Sequence, residues 1–237
     1  MSGLRRASRS PTTDAQAPRV KICGITRPED AAFATEAGAD YLGLILSPGF
    51  SRSLTIDQAE RVAAAMGSNR VGVMVDPEPA WAVDTAVRLR LDVVQLHGGE
   101  SPEVADAIRG GGAWSVWKVF PLADRHDLGA VAAFAKAVDG VHVDARRPDL
   151  RPGGGTGRTF RWDGVSDEVR RRAPGLLFIA AGGLDPANVC QALRHLGPDV
   201  VDVSSGVESE PGKKDARRVS HFIQAVHRCA EVQGGRS

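Results

Sequence analysis

A short β-prone run, a turn and an Ala-rich helical stretch follow one another from Val20 to the end of the chain, and this rhythm constrains the fold more than any single motif. The spacing predicts strands over 20–22, 41–46, 70–75, 93–96, 115–119, 140–144, 176–180 and 200–203. It predicts helices over 28–37, 56–65, 79–89, 102–108, 128–138, 186–196 and 215–230, with a shorter one near 162–172. Strands alternating with helices at this spacing form βαβ units around a parallel sheet. About eight such units in about 220 residues are what a closed (β/α)8 barrel, the TIM barrel, requires near its lower size limit. The rival architecture is an open doubly wound sheet, which carries G-x-G-x-x-G after its first strand. Here that strand runs instead into Cys23-Gly24-Ile25-Thr26. A single barrel domain is expected over 19–231, between a disordered tail at 1–18 and a flexible end at 232–237.

Composition narrows the function classes. The chain has 237 residues, 42% hydrophobic and 25% charged, with a formal net charge of +1. That balance supplies no global field for nucleic acid or an anionic membrane, and no stretch is apolar for long enough to span a bilayer. The 3 cysteines, Cys23, Cys190 and Cys229, lie far apart and make no metal-ligand spacing. An odd, sparse set argues against a disulfide framework and fits a reducing, cytoplasmic setting. The first 18 residues carry several Arg, Ser and Pro but no apolar core for a secretory signal.

In a parallel barrel, chemistry collects where strands end and their following loops begin. Cys23 stands at the end of the first strand, where Gly24 breaks it and Thr26 and Pro28 open a helix. A lone Cys is commonly a small buried hydrophobe; at this edge it is also a candidate base or nucleophile if its thiolate is favoured. Lys21 shares its strand face by period-two alternation and is either a buried cation beside the thiol or a lysine reaching solvent. Asp144 ends the otherwise apolar sixth strand and is a candidate general acid, or the partner of Arg146 or Arg147. Arg52, in the loop after the second strand, suits a carboxylate or phosphate. Gln95 and His97 end the fourth strand and Asp202 lies in the eighth; these are read as walls of the site. His142 is expected to face the outer helices, although Asp144 two residues on shares its face.

Gly182-Gly183 follows the seventh strand and Ser204-Ser205-Gly206 the eighth. Barrels bind phosphate between these two loops with backbone N–H groups. One such loop is an ordinary turn. Two at the paired positions point to phosphate on Gly182, Gly183, Ser205 and Gly206.

Taken together, these segments resemble phosphoribosylanthranilate isomerases of tryptophan biosynthesis. The resemblance rests on Lys21-Ile22-Cys23-Gly24-Ile25-Thr26, on Gln95-Leu96-His97-Gly98 with Glu100, and on Trp117-Lys118. It continues through Asp144 with Gly153-Gly154-Gly155-Thr156-Gly157 and Phe160-Arg161-Trp162, then Ala181-Gly182-Gly183-Leu184 with Asn188-Val189. It ends on Asp202-Val203-Ser204-Ser205-Gly206-Val207-Glu208 and Pro211-Gly212-Lys213-Lys214-Asp215. The resemblance implies an Amadori rearrangement of N-(5-phosphoribosyl)anthranilate, with Asp144 as general acid, Cys23 as general base and Arg52 on the anthranilate carboxylate. It implies no metal and no cofactor, a small-molecule substrate as the only partner, and a monomer or homodimer. The single Gly-rich pair predicts a substrate with one phosphate.

Departures from the family pattern are local. Phe50-Ser51-Arg52 replaces the usual Ser-Pro-Arg, Ala145 stands where Ser commonly follows the acid, residues 146–152 form a basic loop, and the first 18 residues have no counterpart. Two other readings share the barrel. One is another phosphate-binding enzyme of tryptophan or histidine biosynthesis; among these, an indole-glycerol-phosphate synthase needs a catalytic lysine, for which Lys118 and Lys21 are candidates, and inner glutamates at strand ends that are missing here. The other is a non-catalytic phosphate-binding barrel, which has no need of Cys23 opposite Asp144.

Overall fold

The computed structural model describes residues 17–122, 125–144 and 164–234. Eight parallel strands close on themselves in sequence order: β1 (Arg19–Cys23), β2 (Tyr41–Ile45), β3 (Asn69–Met74), β4 (Val93–Leu96), β5 (Ser115–Pro121), β6 (Gly140–Asp144), β7 (Leu177–Ala181) and β8 (Val200–Val203). β8 pairs back onto β1 with Lys21 opposite Asp202, which closes the barrel expected from the sequence. The connecting helices are α1 (Pro28–Glu36), α2 (Ile56–Ala63), α3 (Pro79–Leu89), α4 (Pro102–Gly110), α5 (Val131–Phe134), α6 (Val165–Arg172), α7 (Val189–Leu196) and α8 (Ala216–Gly234). A small antiparallel hairpin, β9 (Glu208–Glu210) with β10 (Lys213–Lys214), sits between β8 and α8. No helix among the described residues is long and apolar enough to cross a membrane.

Alternation along each strand sorts the core into two shells. Outward residues such as Val20, Ile22, Val94, Leu96, Val141, Val143, Val201 and Val203 join the large cluster packed under the helices. Inward residues Tyr41, Val71, Val73, Val93, Trp117, Ile179 and Val200 fill the barrel itself, with Tyr41 and Trp117 packed edge to face at 5.0 Å. Branched and aromatic side chains are the usual barrel filling. Toward the strand C-terminal ends the inward positions change character and become Lys21, Gln95, His142 and Asp202, all buried and polar.

Helix starts follow local chemistry. Thr55 and Gln58 form a reciprocal capping box at α2, and Ser101 accepts from the Val104 N–H at α4. Several sequence expectations shift. The helix expected over 128–138 is a 3-10 segment (Arg125–Ala130) running into the one-turn α5. Its buried anchors Leu128, Val131 and Phe134 recur every three residues, the 3-10 period. The helix expected from 186 begins at Val189, because the Asp185 carboxylate accepts from the Ala187 and Asn188 N–H groups and holds a turn there. The short helix expected near 162–172 appears as α6, its first residues lying outside the described segments.

Cys190 and Cys229 form a disulfide with Cα atoms 5.7 Å apart, against the expectation of unpaired thiols. A sequence separation of 39 hides the fact that α7 and α8 pack side by side. The tail at 1–16, the glycine-rich segment 153–157, the basic loop 146–152, Ala145 and the motif 160–162 lie outside the described residues, as does the end at 235–237.

Candidate active site

Every candidate residue within the described segments sits at the same end of the barrel. Cys23 is the last residue of β1, half-buried and the one free cysteine among the described residues. Asp144 is the last residue of β6, three strands away around the barrel, and is also half-buried. Both occupy inward-facing positions, since their neighbours Ile22 and Val143 point to the helix layer.

The loop between β2 and α2 presents Arg52, and its shape comes from its serines. Ser53 Oγ donates to the Ser47 carbonyl at 2.6 Å and accepts from the Phe50 N–H at 3.0 Å, while Ser47 Oγ accepts from the Val75 N–H at 2.7 Å. Arg52 then lies over Gly24, where an added Cβ would come 2.6 Å from Arg52 Cδ and 3.2 Å from Ser204 Oγ. Gly24 also has a φ of +73°, so a side chain there is both crowded and strained. That close approach gathers the loops after β1, β2 and β8 around the thiol.

Arg52 is not free. It grips Glu208 through both arms, Nε to Oε1 at 2.7 Å and Nη2 to Oε2 at 2.5 Å. The Glu208 bonds, more than the opposing burial, raise the guanidinium above its usual range. Lys214 reaches the same carboxylate at 2.7 Å and the Ser204 carbonyl at 3.2 Å. Burial holds the Lys214 ammonium below its usual range despite Glu208. Burial would raise Glu208, but Arg52 and Lys214 outweigh it and hold the carboxyl below its usual range. Asp30 of α1 fixes the hairpin by accepting the Lys214 N–H at 2.9 Å. Glu208 and Lys214 belong to the eighth-strand motif, yet their pairing with Arg52 joins positions 156 residues apart, which spacing cannot reveal.

Deeper in the barrel, Lys21 is fully buried and donates to Asp202 Oδ2 at 2.9 Å. His142 faces inward beside them, correcting the expectation that it faces the helices. Its Nε2 stands 3.5 Å from Asp202 Oδ2, too far for a good hydrogen bond, and its ring centre is 6.5 Å from that of His97. Parity settles the matter: Val141 and Val143 take the outer shell, so His142 goes inside with Asp144. Gln95 Nε2 approaches His97 Nδ1 at 3.4 Å. Lys118, which follows Trp117 in β5, pairs with Glu100 at 3.0 Å, and Glu100 accepts from the Gly98 and Asp76 N–H groups at 2.9 Å. This buried pair fixes the turn that carries His97.

Burial, together with the Lys21 charge, pushes His142 well below the ordinary imidazole range, and burial also lowers His97 against the pull of Asp144. Both rings are therefore neutral at pH 7. A histidine depressed in the folded state binds its proton more readily when unfolded, so stability rises with pH. This contribution is full above the unfolded value of about 6.5 and is lost as pH falls below it. Thermal denaturation from pH 7.5 to 5 is expected to show a falling Tm, with a shallower fall in His142→Asn. An equal slope in that variant would remove His142 as a cause.

The remaining side of the mouth is made of backbone. Gly182 and Gly183 have φ of +106° and +64°, and Asn188 Nδ2 braces their turn by donating to the Gly183 carbonyl at 2.8 Å. Ser205 and Gly206 begin a single 3-10 turn after β8. A Cβ at Gly206 would overlap the Leu184 carbonyl, so the loops after β7 and β8 touch through this glycine.

A closed eight-stranded barrel with a thiol, a carboxylate, a held guanidinium and paired glycine turns at its mouth defines a (β/α)8-barrel enzyme. The family described as N-(5'phosphoribosyl)anthranilate (PRA) isomerase matches residues 20–225. The chain belongs to this family of intramolecular aldose–ketose isomerases. It is 44% identical over 209 residues to N-(5'-phosphoribosyl)anthranilate isomerase of Geobacter sulfurreducens, covering 87% of this chain and 97% of that one. The corresponding isomerase of Paramagnetospirillum magneticum is 43% identical, with coverage of 87% and 96%. The crystal structure of phosphoribosyl anthranilate isomerase from Thermotoga maritima superposes with a TM-score of 0.80 at 35% identity, over 89% of this chain and 99% of that one. The crystal structure of a phosphoribosyl anthranilate isomerase in complex with reduced 1-(o-carboxyphenylamino)-1-deoxyribulose 5-phosphate gives a TM-score of 0.77 at 33% identity, over 89% of this chain and 99% of that one.

Proposed function

We propose that this chain performs the Amadori step of tryptophan biosynthesis on N-(5'-phosphoribosyl)anthranilate, with Asp144 as general acid and Cys23 as general base. The observation that carries this reading is the pair itself, a thiol and a carboxyl ending β1 and β6 on inward positions of one mouth. Asp144 gives a proton to the furanose ring oxygen, the ring C–O bond breaks, and an imine forms at C1. Cys23 as thiolate removes the proton from C2, which leaves an enolamine. Proton return to C1 and loss from the C2 hydroxyl give the ketone, so the reaction is neutral in protons overall. The acid must start protonated and the base deprotonated at one pH.

Binding holds the sugar between these groups. Backbone at Gly182, Gly183, Ser205 and Gly206 takes the single phosphate, and Arg52 takes the anthranilate carboxylate. With Glu208 already holding two of its donors, Arg52 meets the substrate from a fixed position and loses little freedom on binding. Gln95, His97 and Asp202 form the wall beneath the sugar. The chain acts on this small molecule as a monomer or homodimer in the cytoplasm.

Arg52→Ala is expected to raise KM about tenfold or more, the loss of one charge-assisted pair, with a smaller change in kcat. It also leaves Glu208 with Lys214 alone. An unchanged KM would remove Arg52 from the binding site. The reading as a whole is tested by adding purified protein to freshly generated phosphoribosylanthranilate and following loss of its fluorescence. Absence of turnover, with phosphate ligands still bound, would favour a barrel that kept its phosphate grip without this chemistry.

A further inference from the structure

Lys21 is the most deeply buried charged residue in the barrel mouth, with no solvent exposure, and it is the cation nearest the thiol on the same strand face. Burying an ammonium is costly unless it is well paired. Its pairing is incomplete without the thiol: among the described residues Asp202 Oδ2 is the one oxygen that accepts from it, the Cys23 sulfur is its other interaction, and an ammonium has three donors. Asp202 is also incompletely used, its Oδ1 having no hydrogen-bond partner among the described residues. A pair built for stability alone would be better satisfied or replaced by branched side chains like those lower in the barrel.

The opposing strand explains where Lys21 points. β2 places Gly43 beside Cys23, and a Cβ built on Gly43 would lie 2.9 Å from Cys23 Sγ and 3.1 Å from Lys21 Nζ. The sulfur and the ammonium therefore converge on the space that this glycine leaves empty. The other cations near the thiol, Arg52 and Lys214, are both committed to Glu208.

Resting on the acid–base reading above, we propose that Lys21 is the positioning residue of the base, its ammonium anchored by Asp202 and set beside Cys23 Sγ across the gap at Gly43, where it holds the charge of the thiolate. Burial would lower the lysine, yet Asp202 and Cys23 together raise it above its usual range, so it remains charged throughout the working pH range. The groups facing this pair are Asp202 from β8, His142 and Asp144 from β6, His97 after β4, Arg52 after β2, and Glu208 with Lys214 from the hairpin. Both imidazoles are neutral, which leaves Lys21 as the inner positive charge on the thiol.

The test reads the thiol without substrate. Cys190 and Cys229 are paired, so iodoacetamide labelling located by peptide mass reports Cys23. Lys21→Met is expected to slow alkylation at pH 7 by about tenfold, the effect of one unit in protonation, and to recover wild-type rates at high pH. The acid limb of kcat/KM moves to higher pH by the same amount, with KM little changed. Gly43→Ala keeps both charges and forces them apart, so a smaller loss in the same direction is expected even if Lys21→Met does not fold. Wild-type alkylation in folded Lys21→Met, or in Gly43→Ala when the first variant fails to fold, would overturn the proposal. Full turnover by Cys23→Ala would instead sink the acid–base reading, and the alkylation result separates the two.

Discussion

Cys23→Ala is expected to lower kcat by about 10²–10⁴, the usual contribution of a positioned general base. The variant removes only the sulfur from a half-buried position at the end of β1. Losing so small a group changes stability by about 1 kcal/mol, within the ordinary range for point substitutions. Substrate binding is expected to stay intact, because neither the proposed phosphate turn at Gly182–Gly183 nor Arg52 depends on the sulfur. Steady-state kinetics with parallel thermal denaturation therefore show a fall in kcat, a nearly constant KM and a similar Tm. Under the proposed roles, the imine is expected still to form in this variant and to stall before proton removal from C2. Wild-type turnover would assign the base elsewhere.

Asp144→Asn is expected to produce a loss of the same order, about 10²–10⁴ in kcat. The amide keeps the shape of the carboxyl but cannot give a proton to the ring oxygen, so the furanose stays closed. The two losses are not independent, because acid and base act on one reaction. Groups that work as a unit are strongly non-additive. The double variant is expected to be only slightly slower than the worse single variant. A double variant slower by the product of both losses would mean instead that the two residues act independently on one rate-limiting transition state. A loss of folding stability larger than about 3 kcal/mol in either single variant would point instead to a broken structural network.

The fold was legible because barrel strands advertise themselves. Runs such as Val141-His142-Val143 and Val200-Val201 are short, β-branched and followed by Gly, Pro or Asp, and eight of them in register with Ala-rich helices admit few closures. The end of each strand was legible for the same reason, and with it Cys23, Asp144 and the two glycine turns. The orientation of polar residues within a strand was harder. His142 stands between two valines, and those valines take the helix side and leave the histidine to the barrel interior, which composition alone does not show. The 3-10 character before α5 was hidden by an Ala-rich composition that favours α-helix; the three-residue spacing of its buried anchors decided otherwise.

Long-range pairs were not legible at all. Arg52 with Glu208, Lys118 with Glu100, Lys21 with Asp202 and Cys190 with Cys229 each join segments that only the closed barrel brings together. Local sequence specifies which residues reach the mouth. Barrel closure specifies which of them meet.

The most direct measurement is turnover of freshly generated phosphoribosylanthranilate, read as loss of its fluorescence, for the wild type, Cys23→Ala and Asp144→Asn side by side. Fast decay in the wild type with collapse in both variants, each still folded and still binding substrate, is the predicted result. Undiminished decay in either variant would contradict the assignment of base and acid.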